Sequence, residues 1–269
     1  MKLSSLARML LQQSLFVMMA FVALVSSATA QQVTFAPYLQ LGDNGKFGSA
    51  DQIVIAWQTD ESMPNPSAYK VEFHSRERDS GVVKPSGRVV DNYLVADPML
   101  PAIPGAYGTH TNYIAVLKNL RYDTVYQYRV SGPGMPNSGF NSSFRTRTRG
   151  SEFAFAVEGD EGFFPVVPNS DPARIVDYAA RIAHLIYDAD QIQLSNGPSL
   201  PEPEFVVNTG DNVYTEGTED NYRDFFFPVF NSDQDSNEAG APILRSKLFL
   251  QVDGNHDVGS TGVGKSAGG

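Results

Sequence analysis

The sequence predicts a two-domain chain, an all-β sandwich followed by an α/β domain, and three observations carry that expectation. Up to Arg149-Gly150, short runs rich in β-branched and aromatic residues recur between turn clusters. Beyond that point the pattern becomes strand, helix, strand. Three apolar runs in the second half also end in clusters of acid, glycine and amide residues: Phe153–Val157 before Glu158–Gly162, Phe205–Val207 before Asn208–Tyr214, and Leu248–Val252 before Asp253–Asp257. The expected division is 1–30 as a leader, 31–149 as the sandwich and 150–269 as the α/β part.

The leader is set aside first. Lys2 and Arg8 form a positive n-region, Leu15 to Val25 an apolar h-region, and Ala28-Thr-Ala30 a small-residue cleavage site. This is the pattern of a secretory signal peptide, cleaved after Ala30. Its apolar run is shorter than the ~20 residues a membrane span needs, so no stable membrane anchor is expected. A chain starting at Gln31 holds 239 residues with 18 Lys and Arg against 30 Asp and Glu, a formal charge of −12. Such a surface repels nucleic acid and anionic membranes, so an anionic substrate calls for a local positive charge such as bound metal. There is no cysteine, which excludes a disulfide framework and thiolate zinc. The expected location is secreted or periplasmic.

In the first half, strands are expected at Ile53–Gln58, Tyr69–His74, Tyr113–Leu117, Val125–Val130 and Ser143–Thr148, most simply as an antiparallel sandwich. Trp57, on a central strand, is assigned to the core between sheets. Leu120 and Tyr126 are spaced like the corner of a fibronectin type III domain. His74 and His110 have no second ligand at metal spacing and are read as ordinary strand or surface histidines. Residues 132–139, with Pro133 and Pro136, read as a solvated turn.

In the second half, Asp171-Pro172 supplies an N-cap and a first-position proline. Ile175, Val176, Ala179, Ile182, Ala183 and Ile186 then repeat at helical spacing. That helix is expected to cross between the strands at Phe153 and Phe205 as a right-handed connection. His184 on it is read as an exposed or helix-capping side chain and not a ligand, on the ground that no matching ligand follows at i+4. Tyr222–Phe230, rich in phenylalanine, is read as core packed on the sheet. Residues 194–204 and 231–240 read as loops.

The carboxyl ends of strands in an open α/β sheet face the ligand crevice, so Asp160, Asp211 and Asn255 can converge there. Glycine precedes each of them, which lets the backbone turn sharply and brings a ligand close. Carboxylate and amide oxygens suit hard cations, and one carboxylate can bridge two. Gly254-Asn-His-Asp257 is the most specific element, pairing an amide ligand with an imidazole that could contact a substrate.

On these residues the chain resembles a known family. Gly159-Asp160-Glu-Gly162, Gly210-Asp211-Asn-Val-Tyr214 and Gly254-Asn255-His256-Asp257 look like the first three motifs of the calcineurin-like metallophosphoesterases. Glycine at position 162 and tyrosine three residues after Asp211 are similar to the purple acid phosphatase branch. Pro37-Tyr-Leu-Gln40 and the Trp57 strand resemble the fibronectin type III-like module that precedes the catalytic domain there. The resemblance implies an αββα-type metallophosphoesterase domain and hydrolysis of phosphate monoesters by a dinuclear metal-bound hydroxide. The centre would pair Fe(III) with a divalent Fe, Zn or Mn. Asp160 and Tyr214 would bind the first metal, Asp211 would bridge, Asn255 would bind the second, and His256 would contact the phosphate and assist the leaving group. Tyrosinate bound to iron would colour the protein.

The chain departs from that pattern in one respect. The family's last two motifs supply further histidine ligands, whereas no histidine follows His256. The expectation is a C-terminally incomplete chain, a weak metal binder with little activity by itself. The alternative is a non-catalytic binding or vestigial module with a broken metal site. Gly259–Ser266 fits a phosphate-binding P-loop, but only Ala267, Gly268 and Gly269 follow, too few for the helix whose N-terminus such a loop needs. A nucleotide-binding role is therefore set aside. The expected partner is a small phosphate-ester substrate and not nucleic acid.

Overall fold

The computed structural model of the protein describes residues 31–42, 46–90, 110–160, 172–214, 217 and 219–257. The expected leader, the Asp171 cap, Gly162 and the P-loop-like segment lie outside these residues.

The first part is a sandwich of two four-stranded antiparallel sheets. One sheet contains β1 (Val33–Leu41), β2 (Asp51–Thr59), β5 (Ser86–Val90) and β6 (His110–Leu120), in the order β1-β2-β6-β5. The other contains β3 (Lys70–Ser75), β4 (Ser80–Val83), β7 (Val125–Ser131) and β8 (Phe140–Arg145), in the order β4-β3-β7-β8. Along β7 the two-residue period turns Tyr126, Tyr128 and Val130 inward and leaves Val125, Gln127 and Arg129 outside. Trp57 fills the space between the sheets, 1% exposed, stacked on Tyr113 at 5.4 Å between ring centroids. The Arg121 N–H donates to the Tyr126 hydroxyl over 3.0 Å, closing the corner that the Leu120 and Tyr126 spacing suggests.

Three strands had no counterpart in the sequence reading. β1 carries Pro37, which belongs at an edge, and its register with β2 shifts on either side of Phe35. β4 and β5 are short and polar, with Gly81 and Gly87. β8 runs three residues earlier than expected. Its end is set by Thr146, which leaves the ladder to exchange hydrogen bonds with Thr124 at 2.9 and 3.0 Å. His110 is not at the surface: it is buried, with Nε2 3.3 Å from Glu219 Oε1. That pairing joins residues too distant in sequence to be read locally. His74 is exposed, as expected.

The second part is a three-stranded parallel sheet, β11-β10-β9, made of β9 (Phe155–Glu158), β10 (Phe205–Asn208) and β11 (Leu248–Gln251). Phe205 lies opposite both Phe155 and Leu248. Helix α1 (Pro172–Tyr187) forms the crossover between β9 and β10. It buries Ala179, Ala180 and Ala183 against Val206, Phe226 and Phe230. Small side chains on that face let the helix approach closely. Ile182, expected in the apolar stripe, is instead 40% exposed, because the contact face turns through Ala180. The phenylalanine-rich stretch is helical from Glu219 to Phe230, with a π-helical turn over Tyr222–Phe226, and it is core as expected.

The two parts pack as one unit. Asp51, fully buried, accepts from the Arg147 backbone N–H and from Nε, each at 2.9 Å, where the chain leaves the sandwich. The Tyr128 hydroxyl donates to the Arg245 carbonyl over 3.0 Å. Asn231 Nδ2 donates to the Ala36 and Pro37 carbonyls. Phe35 stacks on Phe227 at 4.2 Å. Among the described residues no helix is long and apolar enough to cross a membrane.

Candidate metal centre

All three clusters lie at the carboxyl ends of the parallel strands. Asp160 follows the end of β9 at Glu158, Asp211 follows the end of β10 at Asn208, and Asn255 follows the end of β11 at Gln251. Asp160 and Asp211 both adopt left-handed backbone, with φ of 55° and 54°. That conformation is unfavourable for a residue with a side chain and points to a geometry enforced by its surroundings. The Asp160 N–H donates to the Gly210 carbonyl over 3.1 Å, tying the first two loops together. Gly254 is required by close approach: a Cβ there would lie 2.2 Å from Asp211 Oδ1.

The structure brings Asp160, Asp211 and Tyr214 to one point. The Tyr214 hydroxyl shares its proton between Asp211 Oδ2 at 3.0 Å and Asp160 Oδ1 at 3.3 Å. Burial, followed by the hydrogen bond to Asp211 and the two carboxylate charges, pushes this phenol well above its ordinary range. Asp211 also accepts the His256 backbone N–H at Oδ1, over 3.0 Å. The His256 ring lies against that of Tyr214, with centroids 4.2 Å apart. Asn255 is exposed on the adjoining turn, and among the described residues its side chain makes no hydrogen bond to the other three.

A supporting shell escaped the sequence reading. Asp257, within the third motif but without an assigned role, accepts from the Gly254 N–H at 2.8 Å, Asn212 Nδ2 at 3.0 Å and the Tyr222 hydroxyl at 3.0 Å. Burial raises its carboxyl, but these donors outweigh that and hold it below the usual carboxylate range. Asp257 thus staples the second loop, the third loop and the following helical segment. Asn208 accepts the Gly210 N–H and donates to Glu158 Oε1 at 2.9 Å. Burial pushes the Glu158 carboxyl up to about 7, against the pull of Asn208. The signal for these residues was the second amide and acid in each motif.

The donor chemistry fits one hard cation. Two carboxylates and a phenol oxygen surround one point, and a cation replacing the phenol proton would reverse the repulsion among them. The fit to a second cation is poorer, since Asp211 and the exposed Asn255 are the donors the motifs offer it.

No sequence-family profile matches the chain. No curated protein matches it either. The fold itself is mostly β-sheet. The particular likeness is to purple acid phosphatase PPD1, isolated from yellow lupin (Lupinus luteus) seeds, with a TM-score of 0.51 and 15% identity over 87% of this chain. The chain spans 37% of that protein's length. A second similarity, to Astrotactin-2, has a TM-score of 0.23 at 11% identity, covers 58% of this chain and 26% of that one, and carries no argument about fold.

Proposed function

We propose that the chain is the sandwich and first catalytic part of an exported, metal-dependent phosphoesterase of the acid phosphatase class, acting on small phosphate monoesters. The observation that carries this reading is the convergence of Asp160, Asp211 and Tyr214 within 3.3 Å at the strand ends. We read 31–149 as a fibronectin type III-like module and 150–269 as the part bearing the metal ligands. Asp160 and Tyr214 would hold a first cation, Fe(III) in this reading. Asp211 would bridge to a divalent Fe, Zn or Mn, and Asn255 would bind that second ion. Bound cations would supply the positive charge that neutralises phosphate oxygens.

The chain's own residues prepare this chemistry. The Tyr214 hydroxyl and the His256 N–H each donate to one oxygen of Asp211, holding the carboxylate that would bridge the two ions. The His256 ring lies beside Tyr214, and in this reading it would donate to the oxygen of the departing alcohol. Asp257 keeps the two loops from separating. With donors for one cation better assembled than for two, binding should exceed turnover.

The test is spectroscopic. Loading the protein with Fe(III) should produce a visible tyrosinate-to-iron band that Tyr214→Phe abolishes and that is lost together with iron uptake in Asp211→Asn. A wild-type protein that takes up Fe(III) without such a band would sink the assignment and favour a non-catalytic module.

A further inference from the structure

At the far end of α1 a second set of metal-ligating side chains comes together. His184 lies on the last helical turn, Asp188 is four residues on, and Asp235 comes from the 231–240 loop. Their ligand atoms lie within 4.8 Å of one another. His184 Nδ1 is 2.7 Å from Asp235 Oδ1, and the Asp188 N–H donates to the His184 carbonyl over 2.9 Å. The reading of His184 as a capping side chain overlooked Asp188 at i+4. We propose that His184, Asp188 and Asp235 bind a divalent cation of the zinc class, which clasps the end of α1 to the 231–240 loop.

The donor set supports that chemistry. One imidazole nitrogen and two carboxylates are zinc ligands at ~2.0–2.2 Å, with a water free to complete a tetrahedron. Bonds of that length put neighbouring ligands about 3.3 Å apart. The ligand atoms, now within 4.8 Å of one another, would draw in on binding, while the hydrogen-bonded His184 and Asp235 pair at 2.7 Å would open slightly. Asp188 lies one residue past the end of α1, but its N–H still bonds the His184 carbonyl four residues back, so it sits about one turn beyond His184. Arg245 holds the opposing loop through Asn231 Oδ1 at 2.7 Å and Asp233 Oδ1 at 2.5 Å, and Ser236 and Gly240 exchange backbone hydrogen bonds at 2.9 Å. Both sides of the site are therefore ordered before a cation arrives. Burial and the facing charge of Asp235 push the Asp188 carboxyl up, a repulsion that His184 offsets in part. A divalent ion would remove it entirely.

The site is separate from the strand-end centre. The crossover carries α1 back from the carboxyl end of β9 toward the start of β10, so its C-terminus lies at the opposite end of the parallel sheet. Binding here would act on the position of the loop and not on a substrate at Asp211.

The experiment titrates Zn(II) into the chelator-treated 269-residue chain by calorimetry, in wild type and in Asp211→Asn, which disables the strand-end centre. One zinc should remain bound in Asp211→Asn. Adding His184→Gln and Asp235→Asn should weaken it by more than the ~10–100-fold that loss of an outer-shell partner costs. In the Asp211→Asn background, Asp235→Asn, on an exposed loop, should match its parent in metal-free melting temperature but lose the zinc-induced rise. Absence of that zinc in Asp211→Asn, or unchanged affinity in the combined variant, would overturn the proposal. Failure of the Fe(III) band would leave it intact, because that band reports Tyr214 alone.

Discussion

The two β regions treat their aromatic side chains in opposite ways. In the sandwich, Trp57, Tyr69 and Tyr113 are at most 1% exposed and pack ring against ring between two sheets. In the parallel sheet, Phe155 and Val157 on the edge strand β9, and Phe153 just before it, are 50%, 58% and 54% exposed, although α1 and the phenylalanine-rich helical stretch cover the other face. Parallel strands ordinarily bury both faces. The sandwich therefore has an internal core of its own, whereas the strands that carry the candidate ligands are covered on one side among the described residues. The part that carries the candidate ligands depends on the sandwich for support through Tyr128 and Arg245, Phe35 and Phe227, and Asn231 with the β1 backbone.

The largest effect expected from this dependence is at Trp57. Trp57→Ala should cost about 3–5 kcal/mol, the range for removing a fully buried large aromatic. Because the contacts between the parts are shared, the loss should shift one cooperative urea transition, seen equally by far-UV circular dichroism and by the accessibility of residues around Tyr214. If the parallel sheet kept its own unshifted transition, the two regions would be independent and the comparison would fail.

The strand-end chemistry was legible in the sequence because it is local. An apolar run, a glycine and an acid or amide lie within a few positions, and the fold brings the three ends together, with Asp160, Asp211 and the His256 N–H adjoining. Trp57, Tyr126 and the β9–α1–β10 order were legible for the same reason, since period and turn residues mark them within a few positions. What escaped depends on long-range placement. The pairing of His110 with Glu219 joins the sandwich to the helix after the second motif, and the hydrogen bonds of Asp257 reach back to Asn212 and forward in space to Tyr222. β4 and β5 escaped because short polar strands derive their order from their neighbours and not from their own composition. Ile182 shows the limit of periodicity, as helical spacing defines a stripe but the partner surface decides which edge of it is buried.

An intermediate effect is expected where the site meets the support. Asp257→Ala would strand the donors of Gly254, Asn212 and Tyr222, each costing ~1–3 kcal/mol when fully buried and unpaired. Asp257 is half-buried and water can replace part of what is lost, so about 2 kcal/mol is expected from a denaturant midpoint. The local consequence should exceed the global one. Amide exchange at Asn212, Val213 and Gly254 should accelerate more than exchange in the sandwich strands. Equal acceleration in both regions would mean that Asp257 is an ordinary stability contact and not a loop staple.

The smallest effect should come from the exposed aromatic edge, and it completes the contrast with Trp57. Phe155 is half covered, chiefly by Phe205, on which it stacks at 5.2 Å with ring planes 2° apart. Full burial of such a side chain contributes ~1.5–3 kcal/mol, so Phe155→Ala should cost about 1 kcal/mol, several-fold less than Trp57→Ala. Its strand position is set by the ladder with β10 rather than by the ring, so the Tyr214 environment should be unchanged. A cost near that of Trp57→Ala, measured by the same urea titration in the 269-residue chain, would mean that the ring is covered in solution. The difference between the two regions would then lie in what packs on β9 and not in the strands themselves.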